Sequence, residues 1–185
     1  MQPRAPMRAG SEFMRTDPVK EGAADQARKV ELVRNSALAV ELSAEQCAVL
    51  AGLVSVRNLA DGEILVQQGI SDNHLYVILS GALAVARQSE ADGQWINLHL
   101  LTRGDLAGEL GFMDSRPHYA ALRAAAPTQV LSLEREKLES LLARDPVIVY
   151  RVMRAIFRVV HVILNRLAMH TSELTNYISK VHGKY

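Results

Sequence analysis

The sequence is poor in the residues that mark most specialised chemistries. It has one cysteine, Cys47, in 185 residues, which excludes an internal disulfide and most cysteine-based metal sites. Its 21 basic residues nearly balance its 20 acidic ones, for a net charge of +1. That argues against a strongly basic nucleic-acid binder, though not against a local patch. No uninterrupted apolar stretch reaches the ~18 residues of a membrane span. There is no Gly-x-Ser-x-Gly elbow, no His-Glu-x-x-His and no Cys-His pair, so nothing suggests an enzyme. The 6 histidines have no common metal-ligand spacing.

What is present fits one globular unit. The chain is 49% hydrophobic and 22% charged, with 11 Gly and 6 Pro. That supports a single sizeable core but not two generous domains. Residues 1–13 read as an expression leader. They lack the apolar stretch of a secretory signal, and Gly10-Ser11-Glu12-Phe13 is what two adjacent cloning sites encode. A near-neutral, signal-free chain with one free thiol is expected in the cytoplasm.

The periodicity divides the rest into helix, strands and helix. Residues 14–55 read as N-terminal helices. Leu32, Val33, Ser36, Ala37 and Val40 recur at three and four, and Ser43 with Gln46 forms a capping-box pattern. Cys47 falls on the second helix and reads as a structural thiol. Residues 56–133 switch to short apolar runs between turn signals: ILV (64–66), LYVIL (75–79), ALAVA (82–86), WINLHLL (95–101), AALRA (120–124) and QVLSL (129–133). Strands at this spacing point to an antiparallel sandwich or roll. The fold class expected is mostly β with flanking helices (α+β).

Residues 134–180 return to helical periods. A short helix over 134–143 stops at Asp145-Pro146, and a long one follows. Along 147–178, Val149, Met153, Ile156, Val160, Ile163, Leu167, His170, Leu174 and Tyr177 are spaced alternately by four and three. This is a coiled-coil seam and predicts a homodimer. His170 would set its register. Val152, Phe157, Val159 and Leu164 widen the apolar face, so the helix should also pack on its own domain. Arg151, Arg154 and Arg158 read as a solvated face.

One stretch carries the functional signal. Residues 104–122 run Gly104-Asp105-Leu106-Ala107-Gly108-Glu109-Leu110-Gly111, then Phe112 to Pro117, then His118-Tyr119-Ala120-Ala121-Leu122. This segment resembles the phosphate-binding cassette of cyclic nucleotide-binding domains. Asp61-Gly62-Glu63-Ile64-Leu65, Gln68-Gly69 and Leu75-Tyr76-Val77-Ile78 resemble the family's earlier strands. The likeness spans about residues 36–178 and is to the catabolite-activator/FNR branch, where a long helix makes the dimer. It implies a jelly-roll-like β-roll, an antiparallel double-stranded β-helix. The ligand implied is cyclic AMP or cyclic GMP, with no other cofactor and no metal.

By that resemblance the ligand would touch Gly108, Glu109, Leu110, Gly111, Arg116, His118, Tyr119, Ala120 and Ala121. Glycines let backbone approach an anion closely. Glu109 would hold a ribose hydroxyl, helped by backbone N–H groups of 108–110. Yet His118 stands where the family has its phosphate-binding arginine, and Ala121 where it has Thr or Ser. A neutral imidazole gives one donor against the guanidinium's planar fork. Losing a charge-assisted bidentate contact costs about 1.5–3 kcal/mol or more, tenfold to several hundredfold in affinity. Arg116 is the nearest alternative cation and Arg123 a weaker one.

The function expected is a dimeric, non-enzymatic regulatory module that binds cyclic nucleotides weakly, or a related non-standard ligand. The alternative is a ligand-free adaptor for another regulatory protein. A helix-turn-helix would have to follow the long helix. Only five residues lie beyond Lys180, so no DNA contact is expected from this chain.

Overall fold

A computed structural model describes residues 18–89 and 91–182, without the side chains of 18–21, 166, 167 and 170–182. The expected leader, 1–13, lies outside the described residues. Helix α1 spans Pro18–Arg34, a short 3-10 turn Ala37–Ala39, and α2 Ala44–Ala51. The Ser43 hydroxyl accepts from the Gln46 N–H, and the Gln46 side chain accepts from the Ser43 N–H, so the capping box is complete. At the end of α2 the Gly52 N–H donates to the Val49 carbonyl and the Leu53 N–H to the Leu50 carbonyl. The chain turns there, earlier than helical periodicity suggests. Val54 and Ser55, expected in a helix, open strand β1, Val54–Leu59.

The remaining strands are β2 Ile64–Val66, β3 His74–Ser80, β4 Ala82–Gln88, β5 Trp95–Thr102, β6 Leu106–Ala107, β7 Ala121–Ala124 and β8 Thr128–Glu134. They form two antiparallel four-stranded sheets, ordered β1-β8-β3-β6 and β2-β7-β4-β5. This is the expected roll. Gly81 shows how tightly the sheets close. Its φ is 78°, and a Cβ there would lie 2.5 Å from the Pro127 carbonyl oxygen. Only a glycine joins β3 to β4 at that approach.

The apolar runs of β3 and β8 are continuous because both faces are buried. Leu75 and Val77 of β3, with Leu131 and Leu133 of β8, meet the helices. Tyr76, Ile78 and Val130 point instead into the roll, against Leu59, Leu83 and Leu122. The alternating β5 differs: it lies at a sheet edge, and Ile96, Leu98 and Leu100 are each about half exposed.

The C-terminal helices follow β8. Helix α4 is Arg135–Glu139, shorter than expected, and α5 runs Pro146–His182. Between α3 and α4 in the chain, β7 and β8 complete the roll; α3 itself, Glu109–Asp114, lies between β6 and β7. Ile148, Val149, Val152 and Ile156 of α5 pack with Val33, Leu38 and Leu50 of the N-terminal segment. So Val149 and Ile156, expected in the dimer seam, are buried in their own protomer's core. Met153 and Val160 pack partly against it, and Ile163 is half-buried. The side chains of Leu167, His170, Leu174 and Tyr177 lie outside the described residues.

The arginine stripe also departs from expectation. Arg154 pairs with Glu41 at 3.2 Å, and Arg158 reaches the same carboxylate. Arg151 Nη1 donates to Gln46 Oε1 at 2.6 Å. The guanidinium groups therefore tie α5 to the segment around α2 rather than standing free in solvent. Sequence spacing could not show this, because Glu41 and Gln46 lie more than a hundred positions away.

Candidate functional site

The cassette is built where β6 stops. Gly108 caps α3 with a φ of 83°. It passes so close to β3 that a Cβ would meet the His74 carbonyl oxygen at 2.6 Å. Ser115 ends α3, also left-handed at φ 60°, and donates its N–H to the Gly111 carbonyl. The following turn returns His118 to the loop after β2. The Gly69 N–H donates to the His118 carbonyl at 2.7 Å, and the His118 N–H to the Ile70 carbonyl at 3.0 Å.

Glu109 and His118 are thereby brought together. Burial pushes the Glu109 carboxyl up from its ordinary value; a bond from its own backbone N–H and the charge of His118 oppose that rise. The His118 ring lies on α3. A Cβ at Gly111 would sit 2.5 Å from His118 Nε2 and 3.0 Å from the Asp72 carbonyl. That Nε2 is a buried side-chain nitrogen with no hydrogen-bond partner, the sole such polar atom among the described residues. A wall histidine with satisfied bonds would have been the simpler outcome.

The other predicted site residues divide clearly. Ala120 and Ala121 are buried, closing the floor of the cassette without a hydroxyl. Leu110 and Tyr119 stand exposed beside Glu109 and His118. Arg116 does not enter: its side chain is 85% exposed, 3.5 Å from Asp114. Arg123 does not either, since its Nε donates to the Gly62 carbonyl at 3.1 Å. Neither of these two arginines reaches the cassette.

A polar group behind the cassette was not legible in the sequence. Asp72 Oδ1 accepts from His74 Nδ1 at 2.7 Å, and its Oδ2 accepts from the buried Tyr76 hydroxyl at 2.8 Å. Burial, then the bond to Asp72, raises the Tyr76 pKa. The two rings stack with centroids 6.0 Å apart. The only signal available was the alternation of Asp72, His74 and Tyr76, which places them on one face of an extended segment.

The Glu109 environment predicts a pH dependence of stability. A carboxyl whose folded pKa lies above its unfolded one favours the folded state most when protonated. Its contribution is fully present below the unfolded pKa and is lost as pH rises through the folded one. Glu109→Gln removes that loss. The variant should melt about 2–4 °C above the wild type at pH 7.5, as for a change of ~1 kcal/mol in a chain of this size. The gap should narrow as pH falls towards 5. Melting curves at several pH values check this, and a gap that widens on acidification contradicts the burial.

Residues 56–145 match the cyclic nucleotide-binding domain family, and this part of the chain belongs to it. The chain is similar to the CRP-like cAMP-activated global transcriptional regulator of Mycobacterium tuberculosis, at 27% identity over 107 residues. That match covers 58% of this chain and 47% of the regulator, so the chain spans about half the length of that relative. A solved N-terminal domain of a Streptomyces coelicolor transcriptional regulator is 29% identical, with a TM-score of 0.60. The likeness covers 70% of this chain and 92% of that one. The catabolite activator protein of Thermus thermophilus is 26% identical over 76% of this chain and 63% of its own, with a TM-score of 0.63. The fold is that of a regulatory domain.

Proposed function

We propose that the protein is a non-enzymatic, cytoplasmic signalling module that works as a homodimer through α5, and that its cassette takes a cyclic nucleotide weakly or a related ribose-bearing ligand. The observation carrying this reading is the half of the cassette that remains. Gly108 keeps its left-handed turn against β3, and Glu109 keeps a desolvated carboxyl that no salt bridge holds among the described residues. A carboxyl that weakens the ligand-free fold makes sense where a ligand hydroxyl donates to it.

Arg135 supplies a route for the signal. Its guanidinium donates to the Phe112 carbonyl at 3.5 Å and to the Ser115 hydroxyl, both at the end of α3. Arg135 is also the first residue of α4. A shift of α3 on ligand uptake would move α4 and the Asp145-Pro146 turn, and so bias how two copies of α5 pair. The downstream partner on this reading is another regulatory protein. Among the described residues no helix is long and apolar enough to cross a membrane.

A second reading, a ligand-free adaptor, draws on the exposed apolar residues of β5 and α5. Light scattering and titration calorimetry separate the two. A two-subunit mass with heat from cyclic AMP or cyclic GMP, at a Kd of about 10 μM or weaker, supports the module. No heat and no thermal shift at millimolar nucleotide leaves the adaptor. A one-subunit mass removes the paired-helix mechanism.

A further inference from the structure

The dimer seam read along the sequence misses the exposed side of α5 by one residue. Val149, Met153, Ile156, Val160 and Ile163 are buried or half-buried. One step on, Tyr150, Arg154, Phe157, His161 and Leu164 keep the same four-three spacing and are all exposed. We infer that a second copy of this chain docks on this stripe with its α5 running in the same direction, that His161 then faces His161 of that copy, and that protonation of the pair drives the two apart. The inference deepens the homodimer reading above and rests on it.

Spacing says what covers the stripe. Alternate steps of four and three are the seam of paired helices. Tyr150, Phe157 and Leu164, seven apart, form its apolar layers, and each is more than half exposed. Arg154 and His161 form the polar layers between them. In a two-fold contact the same patch serves both copies, so a residue near the axis meets itself. Continuing the spacing gives Ala168 and Thr171. His170, whose side chain lies outside the described residues, falls one position off the stripe.

Charge makes His161 the sensitive layer. From Pro146 to Ser172 the sequence has four arginines and no acidic residue. The charged groups flanking His161 on α5 are Arg154 and Arg158. Among the described residues, the carboxylate that reaches this face is Glu41, from the segment before α2, and those two arginines already share it. Arg154 also lies over the Tyr150 ring, 5.6 Å from its centroid. Its charge is thus answered. His161 instead stands by the Phe157 ring, with centroids 6.4 Å apart.

Two neutral imidazoles can share a hydrogen bond across the axis, one donating and the other accepting. Two protonated ones are donors only. They would place like charges between apolar layers with no carboxylate to answer them. Imidazole titrates near ~6.5 in water, so the seam holds at neutral pH and loosens on mild acidification.

Sedimentation equilibrium of the full chain across this pH range is the test. The wild-type Kd should rise at least tenfold from pH 7.5 to about 5.5, the effect of excluding one proton per pair from the dimer. His161→Gln should lose most of that rise, and so should His161→Leu, a second variant in case glutamine loosens the seam. His170→Gln should keep it. Leu164→Cys should give a disulfide-linked dimer on mild oxidation, because the native Cys47 is buried and a disulfide needs Cα atoms about 5.5–6 Å apart. A flat wild-type Kd, a rise that persists in both His161 variants, or no disulfide overturns the inference and leaves the homodimer reading standing. A one-subunit mass at every pH removes both.

Discussion

Gly108→Ala is expected to lower stability by about 3 kcal/mol or more and to abolish ligand uptake by the cassette. Two costs combine. A non-glycine residue held at a φ of 83° carries roughly 1–3 kcal/mol of backbone strain. The new Cβ would also lie 2.6 Å from the His74 carbonyl oxygen, a backbone atom of β3 that cannot swing aside. Relief requires β6 to part from β3, where Tyr76 pairs with Ala107 and Val77 with Leu106. In a chain of this length the loss corresponds to a fall in Tm of about 6–12 °C.

Gly69→Ala is the control. Its φ is 80°, but nothing lies within 4 Å of the added carbon. It should show the strain alone, about 1 kcal/mol. Thermal melts of the two variants separate close approach from conformational cost. Equal Tm values would show that β3 does not constrain the cassette.

Phe157→Asp combined with Leu164→Asp is expected to turn a dimer into a monomer without unfolding the roll. Tyr150, Phe157 and Leu164 recur every seven residues on α5 and are 61%, 69% and 58% exposed. The seam read from the sequence places Val149 and Ile156 between protomers. Their burial in the protomer core turns the face available to a second copy towards Phe157 and Leu164. Each buried apolar side chain contributes roughly 1.5–3 kcal/mol, and a two-fold interface counts every substitution twice. The dimer should weaken by at least about a thousandfold. Light scattering at micromolar protein would show one-subunit mass, and the Tm of the roll should change little. A double variant that stays dimeric would move the interface elsewhere.

Much of the fold was legible because it depends on local chemistry. Turn glycines and short apolar runs located β2, β3, β4, β5, β7 and β8, and Ser43 with Gln46 located the start of α2. Strand β6 escaped because Leu106–Ala107 is too short for any period to register. Strand β1 escaped because Leu50 and Val54 keep helical spacing across Gly52. The cassette was legible as a motif, since its glycines and Glu109 occur at fixed offsets. Which cation would serve it was not, because Arg116 and His118 are two residues apart and a sequence does not say which way each points.

The sequence by itself pointed to a roll of short strands closed by helices, with a segment, 104–122, that resembles a phosphate-binding cassette with Glu109 present and His118 where the family has its arginine. Hydrophobic period, capping and turn chemistry act over a few residues, so they can be read along the chain. Only the tertiary structure decided that Arg116 faces solvent, that His118 lies on Gly111, that the α5 arginines meet Glu41 and Gln46, and that Val149 and Ile156 belong to the core. Each of these depends on which distant backbone passes nearby, and that follows from sheet order and helix packing, not from the neighbours in sequence.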